Sequence, residues 1–312
     1  MVRIHSTGSI ISLNSDAPAM MTNRQFSAIA KWLEQTIIMR ELSDLSILGR
    51  LQICESYEEG VVAQWLKNGW NTEQLLRISA GMFDKPEQGY ALQWAFPQAY
   101  YSVFAVTAAF FITRGQTERK HGSIIKRVGV NMIQDEYPRR MSFLALGGLR
   151  EIELKNISKY STRSTLAFDI NNPQSVETQI AQFLSGTRKK ELQAKKKEVR
   201  LRSSQGTLKK NYSLEDWRTV SERLGPTSLL SLLYRKRIKA NYGAIDTYLS
   251  NELEVAQLFQ SLLTIVEGLN LVHEAFLACA MGRERNEALY SKARASMYDF
   301  VVQRGEMIRK TV

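Results

Sequence analysis

Residues 90–113 read YALQWAFPQAYYSVFAVTAAFFIT, a run in which Tyr90, Leu92, Trp94, Phe96, Tyr100, Tyr101, Phe104, Ala105, Ala108 and Ala109 leave no broad polar face. A helix that is apolar nearly all round must be covered on every side, and its small residues are where a neighbouring helix can approach. The stretch therefore predicts the central buried helix of a mainly α protein. Pro97 either kinks that helix or marks its start, because proline lacks an amide donor and crowds the preceding turn. Gly115 is a natural terminator.

Working outward, Phe26, Ile29, Leu33 and Ile37 recur at helical spacing behind the helix-starting residues Thr22 and Asn23. A second start is expected at Asn71, with Gln74 three residues on and Gly81 ending the element. Downstream, residues 121–134 place Ile124, Ile125, Val128 and Met132 on one face and Lys126 and Arg127 on the other, an amphipathic helix. Beyond Pro138 the pattern changes to short alternating runs, Ile152, Leu154 and Ile157 and then Leu166, Phe168 and Ile170, which predict a small β-hairpin. Residues 175–203 begin apolar with Ile180, Phe183 and Leu184 and turn strongly basic. Helices return at Ser213 with Asp216, at Pro226 ahead of Leu229, Leu230, Leu232 and Leu233, and from about Leu253 onward. The expected organisation is one helical domain, residues 1–136 and 209–312, split around an inserted segment, 137–208, that holds the hairpin and a basic helix. Two domains joined near Pro138 are the alternative.

With 312 residues and 44% hydrophobic content the chain can build a substantial core. Its two cysteines, Cys54 and Cys279, lie far apart, and its three histidines, His5, His121 and His273, are too few for a histidine-rich metal site. No apolar run near the ~20 residues of a bilayer span is read, and residues 1–21 lack the basic and apolar regions of a signal peptide. A cytoplasmic location without membrane contact is expected. The net charge of +11 favours a polyanionic partner, nucleic acid foremost. Nucleotide-binding glycine loops, HExxH and GxSxG are absent from the sequence, which argues against nucleotide hydrolysis and zinc proteolysis.

The chemistry-bearing candidates are Arg114 and His121, seven positions apart across a helix end, Gly115 and a polar link. RNA scission needs no cofactor: the substrate's 2′-hydroxyl attacks the adjacent phosphorus when a base takes its proton and a cation stabilises the phosphate oxygens. Histidine suits the first task, all the more at a helix N-terminus that favours neutral imidazole, and arginine the second. The bland reading is two surface residues flanking a loop. His273, among Leu269, Leu271 and Phe276, reads as a packing histidine, and His5 as part of a mobile terminus.

The segment from Gln98 to Ala109 followed by Arg114-Gly115 and Lys120-His121-Gly122-Ser123-Ile124-Ile125 resembles the HEPN superfamily, in which a tyrosine-pair helix precedes a glycine, a link and a KTHSGLI-like helix start. Arg237 to Tyr242 is similar to an RxxADY segment found before the last helix of some members. The resemblance implies an up-and-down helical bundle, commonly a homodimer, with a metal-independent ribonuclease centre formed by an arginine and a histidine separated by four to six intervening residues. Arg114 and His121, with six residues between, carry that motif over. No metal and no cofactor is expected. Two departures stand out: the residue after the arginine is usually polar in active members and is Gly115 here, and residues 137–208 have no counterpart in a minimal bundle.

Tyr100 and Tyr101 are candidates for contacting phosphate or stacking bases, with core packing as the competing role. Glu118, Arg119, Lys120 and Ser123 are expected to shape the same cleft. The basic run of Arg188, Lys189, Lys190, Lys195, Lys196, Lys197, Arg200 and Arg202, if helical, spreads cations around the circumference, so it is expected to be exposed and to guide RNA backbone. The expected function is an endoribonuclease of a toxin, antiphage or RNA-processing kind. A non-catalytic subunit that binds nucleic acid or a protein is the rival, and an antitoxin-like partner is a further expectation.

Overall fold

The computed structural model describes residues 17–53, 57–82, 88–116, 119–158, 168–242, 254–293 and 298–311. These form a mainly α protein, 73% helical, with 11 helices and a two-stranded antiparallel hairpin among the described residues. In order the elements are α1 (Ala17–Trp32), α2 (Gln35–Ser43), α3 (Glu59–Ala80), α4 (Gln88–Thr113), α5 (His121–Ile133), β1 (Leu144–Leu146), β2 (Glu153–Lys155), α6 (Pro173–Val199), α7 (Leu214–Leu224), α8 (Leu229–Tyr242), α9 (Val255–Met281), α10 (Arg283–Ala293) and α11 (Asp299–Thr311).

Helix α4 is the centre, as its composition requires: α3, α9, α8 and α5 all pack on it. Phe96, Ala99, Tyr100, Val103, Val106 and Ala109 are fully buried along it, and Pro97 lies within the helix. Two described helices, α9 and residues 91–113 of α4, are by length and composition apolar enough to cross a bilayer, which corrects the expectation that no run approaches that length. Of the 18-residue apolar window in each, 78% and 89% respectively is buried within the fold.

Two helix starts differ from expectation. Helix α1 begins at Ala17, with Thr22 and Asn23 inside it, and Ile37 belongs to α2. Helix α3 runs unbroken through Asn71. Asn71 Oδ1 accepts a hydrogen bond from Tyr298 Oη at 3.0 Å instead of capping. Just before it Gly69 brings α3 onto α4: a Cβ there would lie 2.7 Å from Val106 Cγ2, and the Gly69 carbonyl accepts from Ser102 Oγ at 3.0 Å. The start of α7 is the expected one, a capping box in which Ser213 and Asp216 satisfy each other's amides.

The hairpin pairs Leu144 with Lys155, Ala145 with Leu154 and Leu146 with Glu153. It therefore uses the first alternating run, joined to a strand upstream of it; Leu166 lies outside the described residues, and Phe168 and Ile170 are not in a strand. Ala145 also bridges Thr227, with amide-to-carbonyl distances of 2.9 and 3.0 Å. Tyr137, Phe143, Leu144, Ile180, Phe183 and Leu184, all from the segment expected as an insertion, join the same apolar core as Phe26, Phe96 and Leu262.

A buried polar cluster fastens the outer helices. Arg304 of α11 donates from Nη1 and Nη2 to Glu73 of α3 at 3.1 Å and from Nε to Glu274 Oε2 of α9 at 3.0 Å. Trp70 Nε1 and Tyr290 Oη donate to the two oxygens of Glu274 at 2.9 and 2.8 Å, and Asn270 Nδ2 donates to Glu73 Oε2 at 2.8 Å. His273 is buried as a packing histidine: Nδ1 donates to the Leu269 carbonyl at 2.8 Å and Nε2 lies 2.9 Å from Tyr137 Oη.

Candidate functional site

His121 is the first residue of α5, with Lys120 as N-cap. Its half-buried ring sits over the aromatic face of α4. Nδ1 lies 2.7 Å from Tyr100 Oη, and the ring centroid is 4.4 Å from that of Phe104 and 6.0 Å from that of Tyr101. From α8, Tyr234 stacks on His121 at 5.6 Å and packs on Tyr100 at 5.3 Å. Arg237, one helical turn further on, donates from Nη2 to Tyr101 Oη at 2.6 Å, and its guanidinium lies 5.0 Å from the Tyr101 ring centroid and 5.5 Å from that of Tyr234. Arg237 Nε is buried without a hydrogen-bond partner among the described residues. Three helices thus converge on one imidazole.

The electrostatics favour neutral groups here. Burial, and then the Arg237 guanidinium, hold the His121 pKa below its ordinary value, and the helix N-terminus acts in the same sense. Burial pushes the Tyr100 phenol well above the usual tyrosine range. A protonated phenol beside a neutral imidazole leaves either tautomer accessible: Tyr100 Oη accepts from Nδ1–H, freeing the Nε2 lone pair, or donates to Nδ1, leaving Nε2 protonated.

The structure brings together Tyr100, Tyr101 and His121. It does not bring Arg114 to them within the chain. Arg114 follows the end of α4, about 14 Å of helix rise beyond Phe104, and its Nη1 donates to the Gln52 carbonyl at 2.9 Å. The cation beside His121 is Arg237. Arg119 is exposed, its guanidinium 5.9 Å from the Trp65 ring, which itself packs edge-on against Phe104. Lys120 is exposed and Ser123 partly so, both at the start of α5; Glu118 lies outside the described residues. Sequence reasoning missed Tyr234 and Arg237 as site residues, although their i, i+3 spacing on one helix and the RxxADY-like segment were available as signals.

The basic run divides between one buried arginine and a set of solvent-facing cations. Arg188 is 1% exposed, which corrects the expectation of exposure for that residue alone. Its guanidinium donates to the Gly147 carbonyl at 2.9 and 3.1 Å, to Ser221 Oγ at 2.7 Å and to the Gly225 carbonyl, tying α6 to the hairpin and to the α7–α8 link. Burial pulls its pKa down to about 10. Leu184, Thr187 and Leu192 are buried on the same side of α6, so an apolar stripe exists that the dense charge conceals. Lys195 pairs with Glu198, Lys196 donates to the Lys210 carbonyl and lies 4.3 Å from the Tyr212 ring, and Arg202 donates to the Gly206 carbonyl. Lys189, Lys190, Lys197, Arg200 and Arg202 are exposed, as expected for them.

No family model, curated protein or solved structure matches the chain. Any chemistry must therefore be argued from the site. Among the described residues no group of three or more His, Cys, Asp or Glu side chains is placed to hold a metal ion.

Proposed function

We propose that the His121 site binds an RNA phosphodiester and cleaves it by attack of the neighbouring 2′-hydroxyl. The observation that carries this reading is the His121–Tyr100 hydrogen bond of 2.7 Å beside the Arg237 guanidinium. With Nδ1–H donated to Tyr100, His121 Nε2 accepts the 2′-hydroxyl proton while O2′ bonds to phosphorus. The P–O5′ bond breaks, and the imidazolium returns the proton to the departing 5′-oxygen, leaving a 2′,3′-cyclic phosphate and a 5′-hydroxyl. Arg237 steadies the phosphate charge, and exposed Tyr101 offers a ring for base stacking. The HEPN resemblance supports this reading, with Arg237 in the role expected of Arg114. It also supports a homodimer, and a toxin, antiphage or RNA-processing role in the cytoplasm.

A second reading, RNA binding without cleavage, is favoured by Arg114 being held on the Gln52 carbonyl away from His121. Incubating total RNA with the full chain in EDTA separates the two. Cleavage should survive chelation, fall at least about 100-fold in His121→Ala and comparably in Arg237→Ala, and change little in Arg114→Ala. Metal-dependent cleavage, or cleavage indifferent to His121→Ala, would overturn the proposal. RNA binding without turnover would establish the second reading.

A further inference from the structure

Helix α8 has a second cationic face. Leu232, Arg235, Lys236 and Lys239 follow i, i+3, i+4, i+7 spacing, so they form one stripe, turned away from the Tyr234–Arg237 edge that meets His121. Opposite them, Phe183, Gly186, Thr187 and Lys190 form a stripe on α6, and Met21, Thr22 and Gln25 face in from α1. These residues line a cavity of about 260 Å³.

Its chemistry is unusual for a gap between helices. Lys190, Arg235, Lys236 and Lys239 line it, and no carboxylate does. Lys236 is buried; its ammonium donates to Thr22 Oγ1 at 3.0 Å and lies 5.3 Å from the Phe183 ring and 5.5 Å from that of Phe26. Among the described residues no carboxylate forms an ion pair with Lys236, Lys190 or Lys239. Glu191, the residue after Lys190, has its carboxylate engaged elsewhere: it accepts from Thr227 Oγ1 and acts on Arg188 and Arg235. Arg235 keeps its guanidinium in place by donating to Thr187 Oγ1 at 3.1 Å. Burial, reinforced by Lys239, Arg235 and Lys190, drives the Lys236 pKa down to about 7. A buried ammonium without a counter-ion is costly, and an anion entering the cavity removes that cost.

We propose that this cavity binds a diphosphate or triphosphate group, with Lys236 at its floor and Lys190, Arg235 and Lys239 around it. Lys190, Arg235 and Lys239, with a Lys236 that an entering anion holds protonated, exceed what a single carboxylate would neutralise and suit a compact, multiply charged anion. The volume lies just under the usual range of ligand pockets, enough for the phosphate chain with anything attached to it left outside. A phosphate within a continuous nucleic-acid backbone does not reach a buried floor, whereas a terminal phosphate chain does. The site stands on observations separate from those at His121 and does not depend on the function proposed there.

The test uses the full chain in EDTA, with inorganic pyrophosphate, ATP and sodium sulfate at matched ionic strength, followed by calorimetric titration and thermal denaturation. Pyrophosphate at a hundredfold excess over its Kd should raise Tm by roughly 5 °C. A response to both pyrophosphate and ATP places recognition in the phosphate chain alone, and a response to ATP alone identifies a nucleotide tail; either upholds the proposal. Lys236→Met, which replaces a buried charge with an apolar chain of similar length, should fold with unchanged or higher Tm and lose the ligand-induced rise. The double variant Lys190→Gln, Lys239→Gln should weaken binding at least about tenfold. Absence of heat and of a Tm rise at millimolar pyrophosphate and ATP would overturn the proposal. So would an equal rise with sulfate, or a wild-type rise in both variants.

Discussion

Replacing Arg304 with Met tests what holds the outer helices to the bundle. The guanidinium is 4% exposed and makes hydrogen bonds to both Glu73 and Glu274, each fully buried, while Met preserves much of its length and apolar contact. The loss is therefore electrostatic: two buried carboxylates lose a shared partner. Breaking a buried ion pair by deleting one side typically costs about 3–5 kcal/mol, which for a chain of this size lowers Tm by roughly 10 °C.

The pH dependence carries a sharper signature. In the native chain burial raises the Glu73 pKa, but Arg304 and then Arg77 outweigh it and leave the pKa below its ordinary value. A depressed carboxyl contributes stability above its unfolded pKa of about 4.3 and loses it as pH falls through the folded value. In Arg304→Met the remaining cation is Arg77, itself shared with Glu267 at 2.6 Å, and with the neutral Asn270 amide it offsets burial less than the pair of arginines does. The Glu73 pKa then rises, and a raised carboxyl stabilises at low pH and loses that contribution as pH increases. Urea denaturation at pH 7.5 and pH 5 reads both effects. Wild type should be no more stable at pH 5, whereas Arg304→Met should gain stability on acidification, and adding Glu73→Gln should recover part of the loss at pH 7.5. A variant within about 1 kcal/mol of wild type at pH 7.5, with the wild-type pH trend, would show that the cluster does not fasten these helices.

Three further outcomes follow from buried groups. Arg188→Met should lower stability by about 2–4 kcal/mol in denaturant titrations, because it deserts two backbone carbonyls and a serine hydroxyl, while folded protein retains its RNA affinity in filter binding. Gly69→Ala should cost about 1–3 kcal/mol, since its Cβ would press on Val106 Cγ2 at 2.7 Å and on the Ser102 carbonyl at 3.1 Å; unchanged stability would show that α3 slides freely on α4. Burial lowers the His273 pKa to about 4, so the chain should lose about 3 kcal/mol as pH falls from 6.5 to 4, a slope that His273→Gln should largely abolish.

What could be read in the sequence was whatever a single helix decides for itself. Residues 90–113 are apolar on all sides, so no partner needed to be known to place them at the centre, and the capping box of Ser213 and Asp216 is complete within four residues. Misreadings arose where a local pattern had a distant owner. Asn71 with Gln74 imitates a cap, yet Gly69 and Tyr298 explain those positions through contacts with α4 and with the start of α11. Arg188 looked like one more surface cation because its acceptors, the Gly147 and Gly225 carbonyls, lie 41 and 37 residues away and present no side chain to read. Gly147, at φ +76°, turns the chain where a Cβ would strike the Glu151 carbonyl, and that turn is what offers its own carbonyl to Arg188.

The same logic governs the site. Spacing along the chain paired Arg114 with His121, but an imidazole at a helix start faces whatever packs across it, and here that is α4 and α8. Tyr100, Tyr101, Tyr234 and Arg237 reach His121 because α8 crosses α4, a relation fixed by the buried Leu229, Leu230, Leu232 and Leu233. Those leucines therefore do two things at once. They seat α8 so that Arg237 meets His121 along one edge, and they turn Arg235, Lys236 and Lys239 toward α6 along another. The net charge that pointed to a polyanion is, at this helix, divided between two separate faces, and a change that rotates α8 must disturb both together.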